Sequence, residues 1–254
     1  VPPPHSLKEL TLERLSGKVA LITGANQGIG KGIAKAFAAE GAKLAICARN
    51  ITKLEATAAE LRALGAEVLV HALDVTDEAG VQDWVNAAQA QFGRIDLLVN
   101  NAGAFDGGPL DQVSLAAWNN VIGACLTGTF LCSRAVFPLM KEQGGGRIIN
   151  IGSISAQRPR EGSAPYTAAK FGVWGLTQAT ALDGRPFGIT CSCLHPGNVL
   201  VERRVGTNRE SDDEPMMSVE SIAEVAVTMA ALPPHVNMLE AIVLPAEQVY
   251  LGRG

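Results

Sequence analysis

The chain carries little positive charge: 21 lysines and arginines stand against 25 acidic residues, a net charge of -4. That balance offers no basic footprint for nucleic acid. No apolar run approaches the roughly 20 residues of a membrane-spanning helix. The start, Val1-Pro-Pro-Pro-His5, has no basic-then-apolar secretory pattern and no initiator Met, and a cytoplasmic location is expected. Cys47, Cys125, Cys132, Cys191 and Cys193 form no CxxC pair, and each lies in apolar sequence. They are expected to be buried, reduced thiols. Cys191 and Cys193, two apart in a strand, are expected on opposite faces and unpaired. No metal site, internal repeat or low-complexity segment stands out.

What is present is an alternation. Apolar runs at 19–23, 44–47, 68–72, 97–100, 147–151, 189–194 and 241–244 are separated by helical spacing at 30–40, 53–64, 78–92, 115–142, 166–182 and 220–231. Strands alternating with helices of ten or more residues predict a doubly wound, Rossmann-type parallel sheet covered on both faces. A chain of 254 residues fits one such domain, here 17–254, preceded by an extension over 1–16. Ligands of such sheets bind beyond the carboxyl ends of the strands, near a topological switch point. The polar loop 201–215 breaks the compact pattern; it reads as a lid or as a solvated surface loop.

The first run ends in Thr23-Gly24-Ala25-Asn26-Gln27-Gly28-Ile29-Gly30 and opens a helix. Gly24 permits the turn, Gly28 lets backbone approach a pyrophosphate, and Gly30 allows tight helix–strand packing. The helix amino end then faces the phosphates. The second run ends Ala48-Arg49. Ala48 holds the place where an acidic residue would bind a ribose 2′-hydroxyl, and the Arg49 guanidinium suits a 2′-phosphate. This favours NADP(H), with NAD(H) possible, since Gln27 adds no second positive charge. Asp74, followed by Val75, reads as an acceptor for the adenine amino group or as a turn or cap residue. Asn100-Asn101-Ala102-Gly103 closes the fourth run with small residues that let a ring or ribose pass close to backbone.

Ser153 follows the fifth run, with Tyr166 thirteen residues later and Lys170 four after that. Positions i and i+4 share a helix face. An ammonium so placed favours phenolate over phenol, which suits Tyr166 to general acid or base work on a carbonyl or alcohol. The Ser153 hydroxyl can hydrogen-bond the reacting oxygen. Arg158 and Arg160 lie between them and meet either an anionic substrate or solvent.

With these residues in place, the chain resembles the short-chain dehydrogenase/reductase family from about residue 17 to 244. The resemblance rests on Thr23-Gly24-xxx-Gly28-Ile29-Gly30, Asp74, Asn100-Asn101-Ala102-Gly103, Ser153, Tyr166-xxx-Lys170 and Pro196-Gly197. It implies a seven-stranded parallel sheet, with Tyr166 as acid/base, Ser153 orienting substrate, and Lys170 holding the nicotinamide ribose. It implies that Val199 meets the carboxamide through its backbone. It also implies a homodimer or homotetramer formed through the two long helices. Two positions depart from the family pattern. Cys125 stands where an Asn usually anchors a water that links the Lys to solvent. Val201 stands where a Thr often touches the cofactor. A non-catalytic dinucleotide-binding protein is the alternative.

Overall fold

The computed structural model describes residues 13–202 and 214–250. The seven strands are β1 (Val19–Thr23), β2 (Lys43–Ala48), β3 (Val68–Ala72), β4 (Leu97–Asn100), β5 (Gly146–Ile151), β6 (Ile189–Pro196) and β7 (Glu240–Val243). They form one sheet in the order β3-β2-β1-β4-β5-β6-β7, with every pairing parallel. Each parallel step needs a crossover, and helices supply them. The chain first builds outward from β1 to β3, then returns to build the other way from β4. The switch point therefore lies between β1 and β4.

The helices are α1 (Gly28–Ala39), α2 (Ile51–Ala63), α3 (Glu78–Phe92), α4 (Leu115–Ile122), α5 (Gly128–Glu142), α6 (Ala164–Gly184) and α7 (Val219–Ala231). One face of the sheet is covered by α1, α2 and α7 through Ile33, Phe37, Leu54, Leu61, Ala226 and Val227. The other is covered by α3 and α5 through Val81, Trp84, Val136 and Met140. Strands buried on both faces explain the near-continuous apolar runs. Local signals set several helix ends. Asn50, Asp77, Ser114 and Ser218 accept hydrogen bonds from the first turns of α2, α3, α4 and α7, and Gly93 ends α3 in the left-handed region.

The long helical stretch expected over 115–142 is interrupted: a π turn, Gly123–Thr127, joins α4 to α5. The Thr129 hydroxyl donates to the Cys125 carbonyl at 2.8 Å. Spacing alone does not reveal one wide turn, because the apolar face resumes after it. Residues Leu115–Glu142 are also long and apolar enough to cross a membrane by length and composition, contrary to the expectation from apolar runs. Here, however, Cys132, Val136 and Met140 are fully buried against the sheet.

Cys191 and Cys193 lie on one face of β6, not on opposite faces as expected, because residues two apart on a strand share a face. On that face Cys191 Sγ accepts from Asn150, whose amide also donates to Thr177 of α6. Both thiols are free, as are the other three buried cysteines. Residues 1–12 of the expected extension lie outside the described residues. Leu15 is buried, and Arg14 pairs with Glu40 on the α1 end and Glu224 on α7.

Candidate active site at the carboxyl ends of the strands

The two sides of the switch point are stitched together by side chains. Thr23 Oγ1, at the end of β1, accepts from the backbone amides of Asn101 and Ala102 at 3.0 and 2.9 Å. Asn101 Nδ2 returns to the carbonyls of Thr23 and Gly24 at 3.0 and 3.2 Å. Gly30 closes the cradle: a Cβ there would lie 2.3 Å from Asn101 Nδ2 and 2.5 Å from the Gly24 carbonyl. The glycine-rich turn therefore packs directly on the β4 end and leaves the α1 amino end open. Ile29 packs against the core, and Asn26 and Gln27 line the turn. The Gly28 amide donates to the Glu202 carboxylate at 2.9 Å. An anionic oxygen thus already occupies the α1 amino end, where a pyrophosphate oxygen is expected. The residues present fit a dinucleotide.

On the adenosine side, Arg49 and Asp74 meet across the ends of β2 and β3 at 3.8 Å. Asp74 Oδ1 accepts from both the backbone amide and the hydroxyl of Thr76. These bonds, the backbone one first, hold its carboxyl below the usual range. Asp74 is thus a turn residue whose second oxygen faces Arg49. Val75 is buried with its side chain against Gly128. Lys53, in the first turn of α2, reaches Gln27 Oε1 at 3.3 Å. Sequence reading passed over this ammonium because it belongs to another helix.

The chemical end is built by β5, the turn after it and α6. Ser153 is buried; its Oγ accepts from the Ser155 amide at 3.1 Å and caps a short 3-10 turn, Ile154–Ala156. Pro165 sits in the first turn of α6, where a missing amide costs nothing. Tyr166 and Lys170 follow on one face. The Tyr166 ring stands edge-on to Phe105 at 5.2 Å, and Lys170 Nζ is 5.5 Å from the Tyr166 ring centre. Lys170 is buried, and its ammonium donates to the Ile151 carbonyl at 2.7 Å, two residues before Ser153. Cys125 faces the loop after β4: its thiol accepts from the Ala104 amide at 3.4 Å and donates to the Ala104 carbonyl at 3.3 Å.

Beyond β6, Gly197 and Asn198 are held by Val243 and Gln248. Val199 pairs with Met217, and Leu200 and Met217 exchange backbone bonds with this strand end. Arg160 bonds Asn198 and Glu214 at 3.0 and 2.9 Å. It thus joins Asn198, after β6, to the Glu214 carboxylate while staying partly exposed. Arg158 lies over the Tyr250 ring. Residues 203–213, most of the proposed lid, lie outside the described residues. A small cavity of about 190 Å³ opens between Gly108, Leu110, Pro159 and Gly162. The loop after β4 and the segment between Ser153 and Tyr166 meet at this cavity. A larger cavity of about 480 Å³ lies at the other end of β6, beside Ile189 and His235, away from Ser153.

A buried polar chain that sequence reading did not assign lies behind the site. Asn100 Nδ2 donates to Ser133 Oγ and Asn150 Oδ1, and Asn150 Nδ2 donates to Thr177. It ties α5 and α6 to the paired ends of β4 and β5. Its only signal was one asparagine at the same register in each of two apolar runs. Among the described residues, no group of three or more His, Cys, Asp or Glu is arranged to hold a metal ion.

Fold and site together define a Rossmann-type oxidoreductase. Comparison with known proteins gives the family: the pattern described as short chain dehydrogenase matches residues 18–212. D-threitol dehydrogenase of Mycolicibacterium smegmatis is 42% identical over 192 residues, 74% of this chain and 73% of the relative. The 3-alpha-(or 20-beta)-hydroxysteroid dehydrogenase of Mycobacterium tuberculosis is 39% identical over 237 residues, 93% of this chain and 86% of the relative. A metagenomic short-chain oxidoreductase crystallised with NADP superposes with a TM-score of 0.80 at 33% identity, covering 91% of this chain and 98% of that one. The chain belongs to the short-chain dehydrogenase family. It is an NAD(P)-dependent oxidoreductase acting on carbonyl and alcohol substrates.

Proposed function

We propose that the protein interconverts a carbonyl and a secondary alcohol with NADP(H) as preferred cofactor, using Tyr166 as the acid and base. The observation that carries this reading is the clustering of Tyr166 and Lys170 on one face of α6, with the ammonium anchored beside Ser153. Gly24, Gly28, Gly30, Asn101, Ala102, Gly103, Pro196, Gly197 and the Val199 backbone would hold the dinucleotide, with Arg49 at its 2′-phosphate.

The bound nicotinamide supplies or accepts the hydride. The Tyr166 phenol gives its proton to the substrate oxygen during reduction and takes one during oxidation. Ser153 Oγ takes the Ser155 amide as its donor, which leaves its own proton for the substrate oxygen. Lys170, held at the Ile151 carbonyl, keeps positive charge beside the phenol. Relatives named as threitol and hydroxysteroid dehydrogenases support an alcohol or carbonyl substrate. The exposed Trp118, Phe130 and Phe171 on the two long helices support a homodimer or homotetramer built there.

Tyr166→Phe tests the reading. Turnover should fall by roughly 10²-fold or more, while NADPH binding, followed by fluorescence, stays unchanged. Turnover within a few-fold of the parent would remove Tyr166 from this role.

A further inference from the structure

A second side chain touches Ser153 from behind. His195, near the carboxyl end of β6, is fully buried. Its Nδ1 lies 3.2 Å from the Ser153 amide nitrogen and 2.9 Å from the Ser153 carbonyl oxygen. The approach requires glycine next door: a Cβ on Gly152 would lie 2.5 Å from Nδ1. Nε2 has no aligned hydrogen-bond partner, and Glu240 Oε1 on β7 lies 3.4 Å away. The Trp174 ring stands edge-on to the imidazole at 5.8 Å.

A neutral imidazole has one donor and one acceptor nitrogen, so Nδ1 can satisfy only one of the two Ser153 groups. The Ser153 carbonyl already accepts from the Ala156 amide at 2.9 Å. The Ser153 amide has Nδ1 as its acceptor. A carboxylate near Nε2 favours a proton there. Both ends of the ring select the same tautomer, with Nε2 protonated toward Glu240 and Nδ1 accepting from Ser153. Glu240 is itself held: Gln157 Nε2 donates to it at 2.6 Å, and the Tyr250 hydroxyl donates to Gln157 at 3.2 Å. A chain of contacts thus runs from the Ser153 backbone to the segment after β7.

The geometry points to His195 as a positioning residue for Ser153, held in one tautomer by Glu240 and releasing the Ser153 amide when it is protonated. This rests on the reading of Ser153 as the group that bonds the reacting oxygen. Protonation puts the ring's second hydrogen on Nδ1, facing the Ser153 N–H at 3.2 Å. The acceptor is lost, and Nδ1 turns to the carbonyl instead. The charged neighbours are Glu240 from β7 and Lys170 from α6; β6 itself adds the Cys193 thiol, while β5 presents the Gly152–Ser153 backbone. Burial holds the His195 pKa below its ordinary value, against the opposing pull of the Ser153 carbonyl and Glu240. The ring is therefore neutral at pH 7, and its influence is felt on the acid side.

Nitrogen-15 spectra of the histidine rings in the whole protein test the tautomer without turnover. The four histidines are assigned with His195→Asn. At pH 7 the His195 proton should be on Nε2, and the Ser153 amide resonance should move as the ring titrates. A proton on Nδ1, or a Ser153 amide indifferent to the titration, overturns the proposal. In kinetics, His195→Asn retains a polar atom in the Nδ1 position and should keep turnover at pH 7 within about threefold while losing the acid limb of kcat/KM. His195→Leu should lower kcat at least tenfold with NADPH affinity unchanged. An acid limb that persists in His195→Asn, or full turnover in a folded His195→Leu, overturns it. Ser153→Ala separates the two readings. Undiminished turnover there removes Ser153 from the chemistry, while the spectra still decide whether His195 holds its amide.

Discussion

The Glu202 carboxylate accepts a hydrogen bond from the Gly28 amide at 2.9 Å, across the open amino end of α1. The two residues are 174 positions apart. The contact puts a protein anion on the surface expected to receive the cofactor's pyrophosphate. Binding must then displace one carboxylate from the helix end. Glu202→Gln removes that competing charge and should tighten NADPH binding by roughly three- to tenfold at low salt. Fluorescence titration of the two proteins checks this. Equal or weaker binding by the variant would show that the carboxylate does not compete.

Cys125 makes two bonds to the Ala104 backbone, one in each direction. An asparagine side chain offers the same acceptor and donor in stronger form. Cys125→Asn is expected to raise kcat several-fold if the amide restores the group that, by resemblance to the family, anchors a water between Lys170 and solvent. Unchanged or lower kcat in a folded variant discards that role. Cys125→Ala leaves the Ala104 amide and carbonyl without these bonds. It should cost about 1–3 kcal/mol, seen as a lowered urea midpoint.

The proposed preference for NADP(H) rests on Arg49, with Lys53 beside it. Arg49 meets Asp74 at 3.8 Å, and Lys53 leans over Gln27. Both belong to the rim around the expected 2′-phosphate. Arg49→Ala should weaken NADPH binding by roughly tenfold or more and NADH binding by less than about twofold. Lys53→Ala should show the same bias at smaller size. Equal losses for both cofactors would move these cations away from the 2′ position.

Stability toward acid has a definite source in the Arg14 cluster. The Arg14 guanidinium, by hydrogen bonding first, holds the Glu40 and Glu224 carboxyls below the usual glutamate range. Carboxyls depressed in the folded state stabilise it above their unfolded pKa of about 4.3. That contribution disappears as pH falls through the lower folded values. Glu40 carries most of it, since the Glu224 side chain is 61% exposed. Arg14→Ala should cost about 1 kcal/mol at pH 7 and much less at pH values of about 2. A loss independent of pH, measured by urea midpoints, would place the effect in packing of Leu15 instead.

The alternation of apolar runs and helical spacing determined the sheet and the number of strands, because strand and helix periods are local properties of the chain. Gly24, Gly28 and Gly30 were legible within one turn and Tyr166 and Lys170 on one helix face, while Ser153 was read from its place after the fifth run and from the family resemblance. Periodicity misled at Cys191 and Cys193, where residues two apart share a face, and it missed the π turn that carries Cys125. The tertiary structure alone decided what depends on distant partners. It brought Arg49 up to Asp74, and set Arg160 between Asn198 and Glu214. It also laid Glu202 on Gly28, and brought His195 and Glu240 behind Ser153. Each of these is a contact between residues of different elements, set by how the strand ends and α1 stack. No local spacing encodes that stacking.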